Sequence, residues 1–239
     1  MSERVKKEIY SWIVVILVVL VLRVIFVEAY VIPTGSMEKT LLIGDALLVN
    51  RFIYGIKIPI PFTGVQIPLI PGRHPLGGEI VVFKYPFENR DFVKRCIAVE
   101  GDTVLIIDKE VYVNGKKRIE PYVRHHHNDT FPGARFERTL YQKLWENAEL
   151  TNYIGDLRYI RDNFGPVVVP EDCIFVMGDN RDDSMDSRFW GPLHEKYLKG
   201  KPLFVYFSFD PGGPASNLFE ILKVWHWKAI RLTRIGKVT

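Results

Sequence analysis

One stretch limits the fold more than any other: residues 9–27 form a mainly apolar run with one charged interruption, Arg23. Nineteen helical residues at ~1.5 Å each rise roughly 28 Å, about the hydrocarbon thickness of a bilayer. Arg23 lies one turn from the end, where its head can snorkel to the interface. Arg4, Lys6 and Lys7 precede the run and Glu28 follows it. Basic residues stay on the cytoplasmic side, so this reading puts the N-terminus inside and everything after residue 27 outside. A cleavable leader is the alternative, since Val27-Glu28-Ala29 offers small residues where cleavage would fall. The apolar run exceeds a usual leader core, however, and Tyr10 and Trp12 suit an anchor at the inner interface. The expectation is a cytoplasmic tip over 1–8 and a transmembrane helix over 9–27.

Composition bounds the remainder of the chain. Apolar residues make up 47% of the sequence, ample for a core, and the net charge is +4. The basic residues are dispersed except near the C-terminus, which argues against nucleic acid as a partner. Cys96 and Cys173 both sit inside apolar runs. They read as buried free thiols, with an extracytoplasmic disulfide as the alternative.

Past residue 44 the pattern is mostly β. Residues 46–52, 79–85, 91–99, 104–107, 111–113, 173–177 and 203–209 are short runs rich in Val, Ile and Phe. Gly, Asp, Asn and Pro punctuate them, as strand boundaries require. Asp108-Lys109 and Asn114-Gly115 read as hairpin turns. Residues 56–75, rich in Pro and Gly, read as an irregular excursion. The expected fold is mainly β, over 28–116 and 170–239; residues 117–169, more polar and less periodic, are expected to form a cap or an inserted subdomain.

Three places carry chemistry. Ser36 lies nine residues past the apolar run, in Pro33-Thr34-Gly35-Ser36-Met37, and is either a linker residue or a nucleophile at the bilayer surface. Strand alternation sets Phe92, Lys94 and Cys96 on one face. A lysine in such company is desolvated, which lowers its pKa and frees it to accept a proton. Spacing alone leaves open that Lys94 snorkels from a strand edge, or that Arg95 is the inward residue. The third place is Gly178-Asp179-Asn180-Arg181-Asp182-Asp183-Ser184-Met185-Asp186-Ser187-Arg188, a loop of interleaved carboxylates, guanidiniums and hydroxyls. It is either a mutually neutralising cluster or a solvated turn. A calcium loop fails in detail: counting from Asp179, the sixth position is not glycine and the twelfth is Trp190. His125-His126-His127 cannot converge on one ion from a regular strand and reads as a surface loop. No Gly-x-Ser-x-Gly elbow is present. Near the C-terminus, Leu218, Ile221, Leu222 and Trp225 recur at helical spacing. Trp227, Lys228, Arg231, Arg234 and Lys237 suit a membrane interface, unless this is simply the last packed element.

Taken in order, these residues resemble type I signal peptidases, the membrane-anchored serine proteases also called leader peptidases. The resemblance rests on the N-terminal apolar run, Gly35-Ser36-Met37 with Thr40-Leu41, and Gly44-Asp45-Ala46-Leu47-Leu48-Val49. It continues through Tyr54-Gly55-Ile56-Lys57, Gly78-Glu79-Ile80-Val81-Val82-Phe83-Lys84-Tyr85-Pro86, Val93-Lys94-Arg95, Gly101-Asp102 and the loop 178–191. Residues 117–169 match no box of the family.

The resemblance implies an antiparallel β-sheet catalytic domain over 28–116 and 170–239, with 117–169 as an inserted variable subdomain, and a Ser/Lys dyad that needs no metal or cofactor. Ser36 is then the nucleophile and Lys94 the general base. Ser184 would hold the lysine amine. The Ser36 N–H and the Thr34 hydroxyl would form the oxyanion hole. Asp186 and Arg188 would buttress the site, with Arg188 reaching toward Asp179. Met37 and Phe92, with Ile32, Leu41, Val82 and Val93, would line small apolar pockets suited to Ala-x-Ala sites. The implied partners are preprotein signal peptides and the lipid bilayer, at the bacterial cytoplasmic membrane. Two positions depart from the family: threonine at 34, where a serine or smaller residue is usual, and Lys39, where proline is usual. Lys39 adds a charge expected to lower the Lys94 pKa further.

Overall fold

A computed structural model describes residues 3–59, 66–210, 212 and 230–237; for 3–4, 17–27, 56–59 and 66–69 the description is of the backbone. An α-helix, α1 (Glu3–Phe26), leads directly into strand β1 (Val27–Val31). Among the described residues no helix is long and apolar enough to cross a membrane. The stretch expected to span, 9–27, falls on α1 as far as Phe26. The first two turns of α1 take in Arg4, Lys6, Lys7 and Glu8, and Val27, the expected last residue of the span, already pairs with Asn50 in a sheet.

The rest is mainly antiparallel β. The strands are β2 (Asp45–Asn50), β3 (Ile56–Pro59), β4 (Gln66–Ile70), β5 (Ile80–Lys84), β6 (Asp91–Val99), β7 (Thr103–Ile107), β8 (Glu110–Val113), β9 (Lys116–Lys117), β10 (Phe164–Val168), β11 (Cys173–Met177), β12 (Leu193–His194) and β13 (Leu198–Ser208). Seven form one sheet in the order β1-β2-β13-β5-β6-β11-β12. Strand β13 joins its two halves, pairing β5 through Leu198 and Gly200 and β2 through residues 201–208. Two bulges between Pro202 and Phe207 bend it at the join, as an extra unpaired residue does. A four-stranded sheet, β10-β7-β8-β9, forms the second layer. Its hairpins turn at Asp108-Lys109 and Asn114-Gly115, all four with positive φ, the left-handed geometry that matches strand twist. The 56–75 stretch is not wholly irregular: β3 and β4 pair as a hairpin. Proline and glycine hide such a strand pair from a period-2 search.

Two apolar clusters hold the layers. The larger packs Phe83, Cys96, Phe175 and Val176 of the main sheet against Val104, Ile106 and Val111 of the second. Residues 117–169 contribute to that same core through α2 (Arg138–Glu146), α3 (Leu150–Ile154) and α4 (Arg158–Arg161), with Tyr141, Trp145, Leu150 and Ile160. The Trp145 indole is buried and donates to the Ser187 carbonyl at 2.6 Å, so its polar edge is satisfied. The smaller cluster joins Ile32, Met37, Leu41, Leu47, Val49, Ile80, Val82 and Val205. It sits directly beneath the turn that carries Ser36.

Both cysteines are buried and free. The C-terminal helical pattern over 217–225, with Trp227 and Lys228, lies outside the described residues. Arg231 and Arg234 pack against the domain, the second of the two readings of this segment. Arg234 is buried and ion-paired with the fully buried Asp45, and it donates to the Thr40 carbonyl at 2.7 Å. Arg231 donates to the Ile43 and Phe209 carbonyls.

Candidate active site

Ser36 sits in a single 3₁₀ turn, Gly35–Met37. Met37, 1% exposed, pins the turn to the smaller core, while Ser36 stays half-buried above it. Thr34 precedes the turn in an extended conformation and lends it no side-chain cap. Two contacts from the 178–191 loop grip this backbone. The Asn180 N–H donates to the Ser36 carbonyl at 3.1 Å, and its side-chain amide donates to the Gly35 carbonyl at 3.1 Å.

Lys94 arrives from β6. Its Nζ lies 2.5 Å from Ser36 Oγ, within hydrogen-bond reach, and 5.7 Å from the Phe92 ring centroid. The side chain is 3% exposed. Burial lowers its pKa from 10.5 to about 8; Asp186 and Asp179 pull it up and Arg188 pushes it down. Lys39 has no part in this. It turns away and donates to the Pro121 and Val123 carbonyls at 3.0 and 3.4 Å. The expectation that Lys39 would depress the Lys94 pKa is corrected accordingly. Its backbone φ is 87°, which proline's ring-locked φ of about −65° cannot reach.

The loop 178–191 is a neutralised cluster rather than a solvated turn. Asp186, fully buried, takes two hydrogen bonds from Arg188 at 2.8 and 2.9 Å and one from the Gly178 N–H at 3.1 Å. Burial alone would raise the Asp186 pKa, but the Arg188 guanidinium overcomes it and holds the carboxyl low. Arg188 also donates to the Arg161 and Arg181 carbonyls, so its guanidinium contacts lie away from Asp179. Asp179 is instead clamped by Arg95, at 2.8 and 2.6 Å. It also accepts from the Thr40 hydroxyl at 2.5 Å. The expected reach of Arg188 to Asp179 is thus replaced by Arg95.

Ser184 is buried, but its hydroxyl has no hydrogen-bond partner in the structure and does not hold the Lys94 amine. It packs against Gly178 instead. A methyl group on Gly178 would lie 2.3 Å from Ser184 Oγ and 2.4 Å from the Ser36 carbonyl. Only glycine lets the two loops meet this closely.

A cleft of about 400 Å³ runs past the serine between residues 30–34 and 90–94. Ile32, Met37, Phe92 and Val93 line it, as expected, with Thr34, Ser36 and Lys94. Leu41 and Val82 do not. Both are fully buried in the core behind the wall and shape it only from beneath. Tyr30, Val31, Asp183 and Met185 line it without having been singled out. Tyr30 and Val31 belong to the strand that leads into Ile32, which was the one available signal. His125-His126-His127 lies at the surface. Its His126 and His127 N–H groups donate to Asp182 at 2.7 and 2.8 Å. Among the described residues, no group of three His, Cys, Asp or Glu side chains could hold a metal.

A hydroxyl within hydrogen-bond reach of a buried amine, on the floor of an apolar cleft, can act as a nucleophile with the amine as its base. Sequence comparison places it more closely. The family model for signal peptidase, peptidase S26, matches residues 5–207, and the chain belongs to that family of peptidases. The signal peptidase I of Pseudomonas aeruginosa is 38% identical over 226 residues, covering 90% of this chain and 76% of that one. The signal peptidase I of Aquifex aeolicus is 34% identical over 233 residues, covering 85% and 84%. A signal peptidase I structure from Enterococcus faecalis V583 aligns over 54% of this chain and 97% of that one, at 24% identity and a TM-score of 0.36.

Proposed function

We propose that the chain is a membrane-tethered serine endopeptidase that removes N-terminal signal peptides from exported preproteins. The observation that carries this reading is the 2.5 Å approach of Lys94 Nζ to Ser36 Oγ inside a buried site. The substrate lies extended in the cleft, alongside residues 30–34 and 90–94, as peptides add to strand edges. Ser36 Oγ attacks the scissile carbonyl and passes its proton to Lys94. The oxyanion develops against the Ser36 N–H and the Thr34 hydroxyl. The Lys94 ammonium then protonates the leaving amine, and the C–N bond breaks to leave an acyl-Ser36. Water, deprotonated by Lys94, attacks the ester and frees the serine. The Arg188–Asp186 and Arg95–Asp179 pairs keep the loops in register. The apolar walls, Ile32, Met37, Phe92 and Val93, suit small side chains and so favour Ala-x-Ala sites.

The tether is the N-terminal helix, with its tip cytoplasmic and the β domain outside the bacterial cytoplasmic membrane. Support comes from its bare apolar surface. Ile9, Tyr10, Trp12, Ile13, Val15 and Ile16 are all exposed, a state more at home in lipid than in water.

The test is cleavage of a preprotein as pH rises. Lys94 must be unprotonated to work, so the rate climbs through about pH 8 and then levels. Lys94→Arg abolishes it, since arginine keeps its proton. A Lys94→Arg variant that still cleaves overturns the reading.

A further inference from the structure

The turn after Ser36 is strained. Lys39 holds φ 87°, a left-handed conformation that a residue with a side chain keeps only when its surroundings enforce it. The turn is closed locally by the Thr40 and Leu41 N–H groups, which donate to the Met37 carbonyl at 3.1 and 2.8 Å, and it is braced from outside by the segment 120–127, which belongs to none of the boxes that define the resemblance. The Lys39 ammonium is clipped to the Pro121 and Val123 carbonyls. One residue on, the Arg124 N–H donates to the Asp179 carbonyl at 2.8 Å, and the Arg124 carbonyl accepts from the Arg181 N–H at 3.0 Å. These two bonds bracket Asn180, whose own N–H grips the Ser36 carbonyl. The Tyr122 ring lies under the Arg95 guanidinium, 3.7 Å from its centroid, and so backs the Arg95–Asp179 pair. Two routes therefore run from one segment to the nucleophile. One goes through Lys39 from the turn itself, the other through Tyr122, Arg95 and residues 179–181 from the facing loop. The Arg124–Glu38 ion pair, 2.9 Å but exposed on both sides, adds little, because solvent screens it.

We propose that residues 120–127 form a strap that positions Ser36 against Lys94, with Lys39 and Tyr122 as positioning residues of the cleavage reaction. The inference rests on the function proposed above. The strap meets the cleft lining only where His126 lies 3.4 Å from Asp183; Lys39 and Tyr122 line no part of the cleft, so losing either changes the geometry of attack and not the binding of substrate. A displacement of ~1 Å at a reacting centre costs up to ~10²-fold in rate.

The experiment uses the full chain in detergent with a fluorogenic peptide carrying an Ala-x-Ala site. Tyr122→Leu and Lys39→Ala are expected to lower kcat about tenfold or more with KM unchanged. Tyr122→Phe keeps the ring and restores kcat. Lys39 is exposed, so Lys39→Ala folds even if Tyr122→Leu does not. Amide hydrogen exchange across 35–41 is measured on the same variants and is expected to accelerate. Wild-type kcat in both variants, a rise in KM alone, or faster exchange with kcat intact overturns the strap. So does a lower melting temperature with kcat per folded molecule preserved. Failure of the wild type to cleave at all overturns the proposed function instead, and unchanged exchange at 35–41 then still overturns the strap.

Discussion

Replacing Lys94 with methionine should destroy activity and make the protein more stable. The ordinary lysine pKa of 10.5 falls to about 8 in the folded chain, with the pull of Asp186 and Asp179 already included. A difference of that size corresponds to about 3 kcal/mol of disfavoured charge. Its sign follows from linkage. The folded amine binds its proton less readily than the unfolded one. Between about pH 8 and 10.5 the unfolded state therefore holds more protons, and stability rises with pH. Below about pH 8 the whole cost is present; above about 10.5 it is gone. Methionine has a similar length and no charge to desolvate, and exchanging a buried ion for an apolar residue is often stabilising. The expected gain at about pH 6 is up to ~3 kcal/mol, or roughly 6–12 °C in Tm for a domain of this size. The assay is thermal unfolding of wild type and Lys94→Met, compared at about pH 6 and about pH 11. The difference should shrink toward zero at the higher pH. A variant no more stable at pH 6, or one with the same gain at both pH values, refutes the claim that the amine is held in a desolvated, low-pKa state.

Gly178→Ala should lower kcat by roughly 10–100-fold, since the added methyl must displace the Ser36 carbonyl or Ser184 by about 1 Å; steady-state kinetics, expressed per folded molecule, check it. Arg95→Ala should lose about 3–5 kcal/mol of stability by chemical denaturation, because it strands the buried Asp179 carboxylate, and Arg95→Lys should recover only part of that, lacking the two-pronged contact. Neither cysteine should react with iodoacetamide in the native protein near neutral pH, because burial pushes Cys96 up to about 12 and Cys173 up to about 11; labelling should appear on denaturation, followed by mass spectrometry.

The strands at 91–99 and 173–177 were legible to the residue, because runs of Val, Ile and Phe bounded by Gly, Asp and Pro admit few other readings. The turns at Asp108 and Asn114 were legible for a similar reason: short polar pairs between strands fix their own left-handed backbone. The 56–70 hairpin was not, since its prolines argue against a ladder that the structure nevertheless builds. Alternation also misled in one respect. It offers Lys94 or Arg95 as the inward residue, whereas both are buried, on opposite faces of one strand. Lys94 meets the Ser36 turn on one side and Arg95 meets Asp179 on the other.

That double burial explains why the ion pairs resisted reading. Asp179 and Asp186 each need a guanidinium, and Arg95, Arg181 and Arg188 are all available by composition. Local spacing favours partners from the same loop, and it is right for Arg188 and Asp186, two residues apart. It is wrong for the other two. Arg95 comes from 84 residues away to clamp Asp179, and Arg181 forms a buried pair with Glu120, 61 residues away. Sheet order decides this: β6 pairs with β11, which sets Arg95 directly across from Met177, just before the loop begins. The carboxylate nearest the strand end takes the strand's arginine, and the loop's own arginines are left for other buried partners, Asp186 and Glu120. Chemistry specified by neighbours in sequence was therefore open to inspection, and chemistry specified by neighbours across a sheet became visible only once the register was known.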